Sequence, residues 1–170
     1  MLPFFPIEEI AILVPVSGRN NLFEDVGGDN YLLYINSVRL REIKDLVKKN
    51  YPYECCGLLI GTNLSEKKVI EVRPVENKNK ERTHDRYEID GKDFVKIDKE
   101  SNKKGFSIIG IFHSHPDHPP LPSAYDTEHA WAGYSYMIAA IENGEKIDIR
   151  SWVFNEERKQ FDEEEISCKD

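Results

Sequence analysis

Cysteine is scarce in this chain, and the three cysteines present cannot be paired into a framework. Cys55 and Cys56 are adjacent and Cys168 stands alone, which excludes a disulfide scaffold and a four-thiolate zinc site. Long apolar runs are missing too. No stretch approaches the roughly 20 residues that a membrane-spanning helix needs. The first residues, MLPFFPIEEIAILVPVSG, are apolar but interrupted by Pro3, Pro6 and Pro15, with Glu8 and Glu9 inside them and no basic start. They do not read as a secretory leader, so the expected location is the cytoplasm. Positive charge is also short. A net charge of −8 over 170 residues is the wrong sign for a general nucleic-acid binder. What remains, 39% hydrophobic and 32% charged, suits one water-facing domain with a sizeable core.

Regular patterning begins at Tyr31. YLLYI reads as a strand. Asn36 or Ser37 then caps a helix, VRLREIKDLVKKN, with Val38, Ile43, Leu46 and Val47 on one side and Pro52 beyond its end. CCGLLIGT and KKVIEVRPV read as antiparallel strands, with Cys55 and Cys56 as small buried side chains. Residues 76–86 read as a charged surface loop. YEID suggests a short strand and GKDFVKIDKES a helix. GFSIIGIFHSH is the most strand-like stretch and ends on two histidines. PDHPPLP has four prolines in seven residues and cannot be helix or central strand. SAYDTEHAWAG reads as a helix from Ser123. YSYMIAAIE and KIDIRSWVFN form a hairpin around Asn143-Gly144, and KQFDEEEIS adds a last edge strand. The expected class is α/β, a mixed sheet flanked by two or three helices.

Chemistry concentrates at the end of the histidine strand. His113 and His115 are two residues apart, so a strand places both imidazoles on one face. Asp126 lies one turn into the following helix, which the proline-rich loop can fold back. Two imidazoles and one carboxylate leave a coordination position open, the donor set of catalytic rather than structural zinc. Glu54, at a helix-to-strand junction, is the candidate general acid and base. Ser123 is the candidate donor to a developing oxyanion. Taken alone, His-Ser-His is a weak signal, and Ser123-x-x-Asp126 also fits a helix cap.

The long pattern carries more weight than its parts. HSHPDHPPLPSAYD resembles the signature of the JAMM (MPN-plus, Mov34-type) zinc metallopeptidases. YPYECCGLLIG resembles the segment bearing that family's catalytic glutamate. The resemblance spans roughly residues 31–165, and PDHPPLPS with WAGYSYMIAAI is most similar to the prokaryotic branch. It implies a cytidine-deaminase-like α/β fold, with one zinc on His113, His115 and Asp126. It also implies Glu54 as acid/base and Ser123 supporting the oxyanion. The implied reaction is cleavage after the C-terminal Gly-Gly of a small ubiquitin-like sulfur-carrier protein, as in sulfur-carrier–cysteine hydrolases that release cysteine for cysteine biosynthesis. Such a Gly-Gly tail would lie along a strand edge and be read through its backbone. The alternatives are deubiquitinase-like removal of ubiquitin-like conjugates and a non-catalytic MPN scaffold. The implied partners include neither nucleic acid nor membrane, and a homodimer is left open.

HSHPDH also matches the His-x-His-x-Asp-His signature of metallo-β-lactamase-fold hydrolases, with Asp117 and His118 as further ligands. That fold needs histidine ligands well downstream, and the last histidine here is His129. Residues 1–30 read as an N-terminal extension before a JAMM domain at 31–170. Within that extension IEEIAILVPVSGR, followed by Val26-Gly27-Gly28, resembles the C-terminal stretch of molybdopterin-synthase-type sulfur carriers. It is either a carrier-like remnant or a linker. The charged segment from Arg73 to Arg86 is a candidate rim for an acidic carrier surface.

Overall fold

The computed structural model describes residues 31–64 and 66–170, so the reading of residues 1–30 lies outside it. Among the described residues, seven strands and three helices follow one another. They are β1 (Leu32–Ile35), α1 (Ser37–Asn50), β2 (Cys56–Asn63), β3 (Lys67–Val75), α2 (Gly91–Lys103), β4 (Ser107–Pro116), α3 (Ala124–His129), β5 (Ser135–Glu142), β6 (Lys146–Asn155) and β7 (Gln160–Cys168). The sheet runs β1-β3-β2-β4-β5-β6-β7 and closes on itself. It is mixed: β1 is parallel to both β3 and β7, β4 is parallel to β5, and the other pairings are antiparallel. Closure goes beyond the expected mixed sheet flanked by helices, and a cytidine-deaminase-like description does not cover it. It also removes the edge role expected of β7, which lies between β6 and β1.

The apolar residues sort into two clusters. One holds Leu33, Ile43, Val47, Leu59, Ile109, Phe112 and Met137 beneath α1. The other holds Leu58, Ile60, Ile97, Ile108, Ile111 and Tyr136 beneath α2. Both clusters draw on β2 and β4. That is why these two strands read as continuous apolar runs rather than alternating ones. Each fully buried Leu or Ile there contributes roughly 1.5–3 kcal/mol. Gly57 lies where β2 is tightly enclosed: a Cβ would meet the Phe112 ring at 2.3 Å and the Arg73 carbonyl at 2.6 Å.

Local signals mostly hold. The Asn36 side chain accepts from the Arg39 N–H and caps α1. Asn143 and Gly144 both take positive φ, as a tight hairpin turn requires. Val38 is a correction: it is 53% exposed, because the buried stripe of α1 runs through Ile43 and Val47 with Leu40 and Leu46 beside them. YEID is another. Residues 87–90 form no ladder, and the alternation of Tyr87 and Ile89 reflects burial in the α2-side core. Among the described residues, no helix is long and apolar enough to cross a membrane.

Candidate metal centre

β4 carries His113 and His115 on one face and Ser114 on the other. Ser114 Oγ accepts from the Cys55 N–H at 2.9 Å, and the Ser114 N–H donates to the Cys55 carbonyl at 2.9 Å. These bonds, with the Cys56–His113 pairing, hold the start of β2 beside the histidines. Glu54 therefore reaches the same cavity, although it is 59 residues away from His113 by number.

The two imidazoles meet at 3.0 Å, Nε2 to Nε2. Nδ1 of His115 lies 2.7 Å from the Pro119 carbonyl. A carbonyl can only accept, so Nδ1 carries the proton and Nε2 presents a bare lone pair. The indole N–H of Trp152 donates to the Pro120 carbonyl at 3.0 Å and steadies this proline loop. Asp126 is the N3 residue of α3 and forms a reciprocal capping box with Ser123. Its Oδ2 accepts from both the Ser123 N–H and the Ser123 hydroxyl at 2.7 Å. Oδ1 takes neither of these bonds. Asp126 is thus both a helix cap and a member of the cluster.

Ligand atoms of His113, His115 and Asp126 all lie within 4.8 Å of one another. Burial, and then His115, pushes the pKa of His113 down, and burial does the same to His115, so both imidazoles are neutral. For Asp126, burial works against the charge, yet the pKa falls, and with both imidazoles neutral it is the Ser123 hydrogen bonds that hold the ionised form. Neutral imidazoles and an ionised carboxylate are the forms that ligate a divalent ion. The donor set therefore fits the metal expected.

A cavity of about 360 Å3 opens over these atoms, lined also by Glu54, Asp85, Tyr87, His118, Leu121 and Ser123. Glu54 is 6% exposed. Burial, with Asp126 and Asp85 adding to it, raises its pKa to about 8. Such a group can hold and release a proton near neutrality. Ser123 reaches the cavity too, but its one hydroxyl proton is engaged on Asp126, so donation to an oxyanion requires that hydroxyl to turn.

The Glu54 shift has a consequence for the metal-free protein. Below about 4.5, folded and unfolded chains both carry the proton. Between about 4.5 and 8 only the unfolded chain ionises, so stability falls as pH rises through that window. The loss is on the order of a few kcal/mol. The buried histidines work in the opposite sense at lower pH, so a comparison isolates Glu54. In chelator-treated protein, Glu54→Gln is expected to gain on the parent chain in urea melts from pH 5 to pH 8. A constant difference would show that Glu54 ionises normally.

Other residues fall elsewhere. Asp117 points away, accepting from the Tyr51 hydroxyl and the Asn143 N–H, each at 2.8 Å. His84 lies against the Pro52 carbonyl and the Tyr53 ring, and His129 stacks on Tyr125. The basic groups between Arg73 and Arg86 are largely matched within the chain. Arg73 pairs with Glu71 and Glu100, Lys78 and Lys80 with Glu76, and Arg82 with Asp85. That leaves less positive charge for an acidic carrier than the sequence suggests. Two cavity residues went unnoticed in the sequence. Tyr87 stacks on His113 with ring centroids 4.5 Å apart, and Asp85 stands near Glu54. The YEID alternation marked Tyr87 as buried without revealing its partner.

A buried His-His-Asp cluster beside a protonatable glutamate is the equipment of a metal-dependent hydrolase. Residues 37–155 match the family described as prokaryotic homologs of the JAB domain. The chain is 34% identical over 109 residues to the desampylase of Haloferax volcanii, covering 64% of this chain and 76% of that protein. It is 32% identical over 122 residues to the desampylase of Pyrococcus furiosus, covering 71% and 79%. A solution structure of a Desulfitobacterium hafniense protein superimposes with a TM-score of 0.72 at 28% identity, covering 81% of this chain and 92% of that one. A Salinibacter ruber protein does so at 0.63 and 30%, with the same coverage. The chain belongs to the prokaryotic JAB family, and it is a JAMM-type hydrolase.

Proposed function

We propose that this protein is a zinc-dependent isopeptidase that removes a small ubiquitin-like protein by cleaving after its C-terminal Gly-Gly. The His113–His115–Asp126 cluster, with buried Glu54 on the same cavity, carries this reading. The relatives' name, desampylase, favours removal of a conjugated ubiquitin-like protein over release of cysteine from a sulfur carrier. Cysteine release is the second reading, favoured by the resemblance of PDHPPLPS and WAGYSYMIAAI. Both readings place the enzyme in the cytoplasm.

Zinc on His113, His115 and Asp126 would polarise the scissile carbonyl and acidify the attacking water, and imidazole-rich ligation favours zinc over harder ions. Glu54 accepts a proton from that water as its oxygen bonds to the carbonyl carbon. It returns the proton to the amine nitrogen as the C–N bond breaks. Ser123 donates to the developing oxyanion once its hydroxyl leaves Asp126. Among the described residues every strand has two neighbours, but β3 meets β1 only at Lys67 and Lys68, so a Gly-Gly tail would find strand edge only along an unpaired stretch such as the rest of β3. Residues 1–30 are read as an extension, carrier-like or linker, preceding the catalytic domain.

Mass spectrometry tests this. Ubiquitin-like proteins ending in Gly-Gly are presented as lysine conjugates and as cysteine adducts to the zinc-loaded chain, with and without residues 1–30. Faster turnover of lysine conjugates is expected. Preference for cysteine adducts would move the assignment to the second reading, and inertness toward both would remove it. Unchanged turnover after trimming would leave residues 1–30 as a linker.

A further inference from the structure

Hydrogen bonds reach Glu54 only through its backbone, among the described residues. Its N–H donates to the Thr83 carbonyl at 2.8 Å. Its carbonyl accepts from Asn77 Nδ2 at 3.2 Å. Both partners belong to the irregular segment between β3 and α2, which folds back across the cavity and contributes Asp85 and Tyr87 to its wall.

Asn77 is the hub of that segment. Its Nδ2 donates to the carbonyls of Glu54 and of Arg86, the latter at 2.9 Å. Its Oδ1 accepts from the Asn79 and Glu88 N–H groups, both at 3.0 Å. All four bonding positions of the amide are used, and each partner is backbone. The Lys78 N–H closes the same turn onto the Glu88 carbonyl at 2.9 Å. One side chain thus ties the two ends of the segment to each other and both to the peptide of Glu54. The metal ligands are held by different bonds: Ser114 to Cys55, His115 to Pro119 and the Ser123–Asp126 box.

We propose that Asn77 is a positioning residue for Glu54, setting where the carboxyl stands relative to the reacting carbonyl without touching substrate or metal. The proposal rests on the acid/base reading of Glu54. Proton transfer needs heavy atoms within hydrogen-bond reach, and misplacement by about 1 Å can cost 100-fold in rate.

Asn77→Asp is the discriminating variant. It keeps the acceptors for Asn79 and Glu88 but has no donor, and it sets a carboxylate against two carbonyl oxygens. The zinc-loaded full chain is compared with this variant on a lysine conjugate of a Gly-Gly-ended ubiquitin-like protein. The expected result is kcat lowered about 10- to 100-fold with KM changed by less than about threefold. The pH–rate limb should be displaced, and zinc stoichiometry should be unchanged. Amide hydrogen exchange at Glu54 should accelerate about tenfold or more, while Cys56 and Phe112 in the paired strands stay protected. Wild-type kcat in the variant overturns the proposal, whatever the exchange shows. Should Asn77→Asp lose its fold or its zinc, Asn77→Ser replaces it, and the same loss there also overturns the proposal, since Asn77 would then serve the fold. Full activity of Glu54→Gln removes the acid/base reading itself. The exchange comparison does not depend on that reading, so the two failures are distinguishable.

Discussion

Replacing Glu54 by Gln is expected to lower kcat about 100- to 10,000-fold, the usual range for one general acid/base, with zinc retained in full. Gln has the shape of Glu but cannot accept and return a proton near pH 7. Glu54 is not a member of the His-His-Asp cluster, so the residues proposed to hold the ion are untouched. The glutamate is buried and held by its backbone to Thr83 and Asn77, and those bonds do not depend on the side chain. The substitution also removes a group that burial drives toward the protonated state, so the metal-free variant should be at least as stable at neutral pH. Turnover and metal content, measured on one preparation, decide the matter. Lost zinc would make Glu54 a support of the cluster, and full turnover would exclude it from the chemistry.

The centre was more legible in the sequence than the frame that holds it. Period-2 geometry alone put His113 and His115 on one face, and the structure brings them to 3.0 Å. Asp126 was ambiguous between cap and ligand, and the structure shows that one carboxylate can serve both, because the capping box uses only Oδ2. Closure of the sheet was not legible. It depends on β1 pairing with β7, more than 120 residues apart by number, through backbone groups that every sequence supplies. Asn77 escaped notice for the same reason, since all four of its partners are backbone atoms. YEID misled because burial by packing and burial by strand pairing leave the same alternation. Charge at residues 76–86 was visible, but its cancellation within the loop depends on side-chain geometry.

Removing one of the proposed ligands should have the larger effect, but the three positions are not equivalent tests. His113 is 1% exposed and stacked on Tyr87, so His113→Ala opens a hole in packed structure and lowers stability along with metal binding. His115 is less enclosed, and its ring is held by Nδ1 to the Pro119 carbonyl and by Nε2 against His113. Asp126→Asn preserves the side-chain volume and one oxygen acceptor for the cap, while withdrawing the negative charge. For both His115→Ala and Asp126→Asn, zinc affinity is expected to fall well beyond the 10- to 100-fold typical of losing an outer hydrogen-bond partner. Turnover should vanish at sub-stoichiometric metal while the fold persists. Competition against a chelator gives the affinity, and thermal melting without metal separates ligand loss from fold loss. Added zinc in excess should partly restore turnover in Asp126→Asn, because two imidazoles remain, and should restore less in His115→Ala. Retention of one tightly held zinc in Asp126→Asn would place the third ligand elsewhere. Among the described residues, His113, His115 and Asp126 are the cluster arranged to hold a metal.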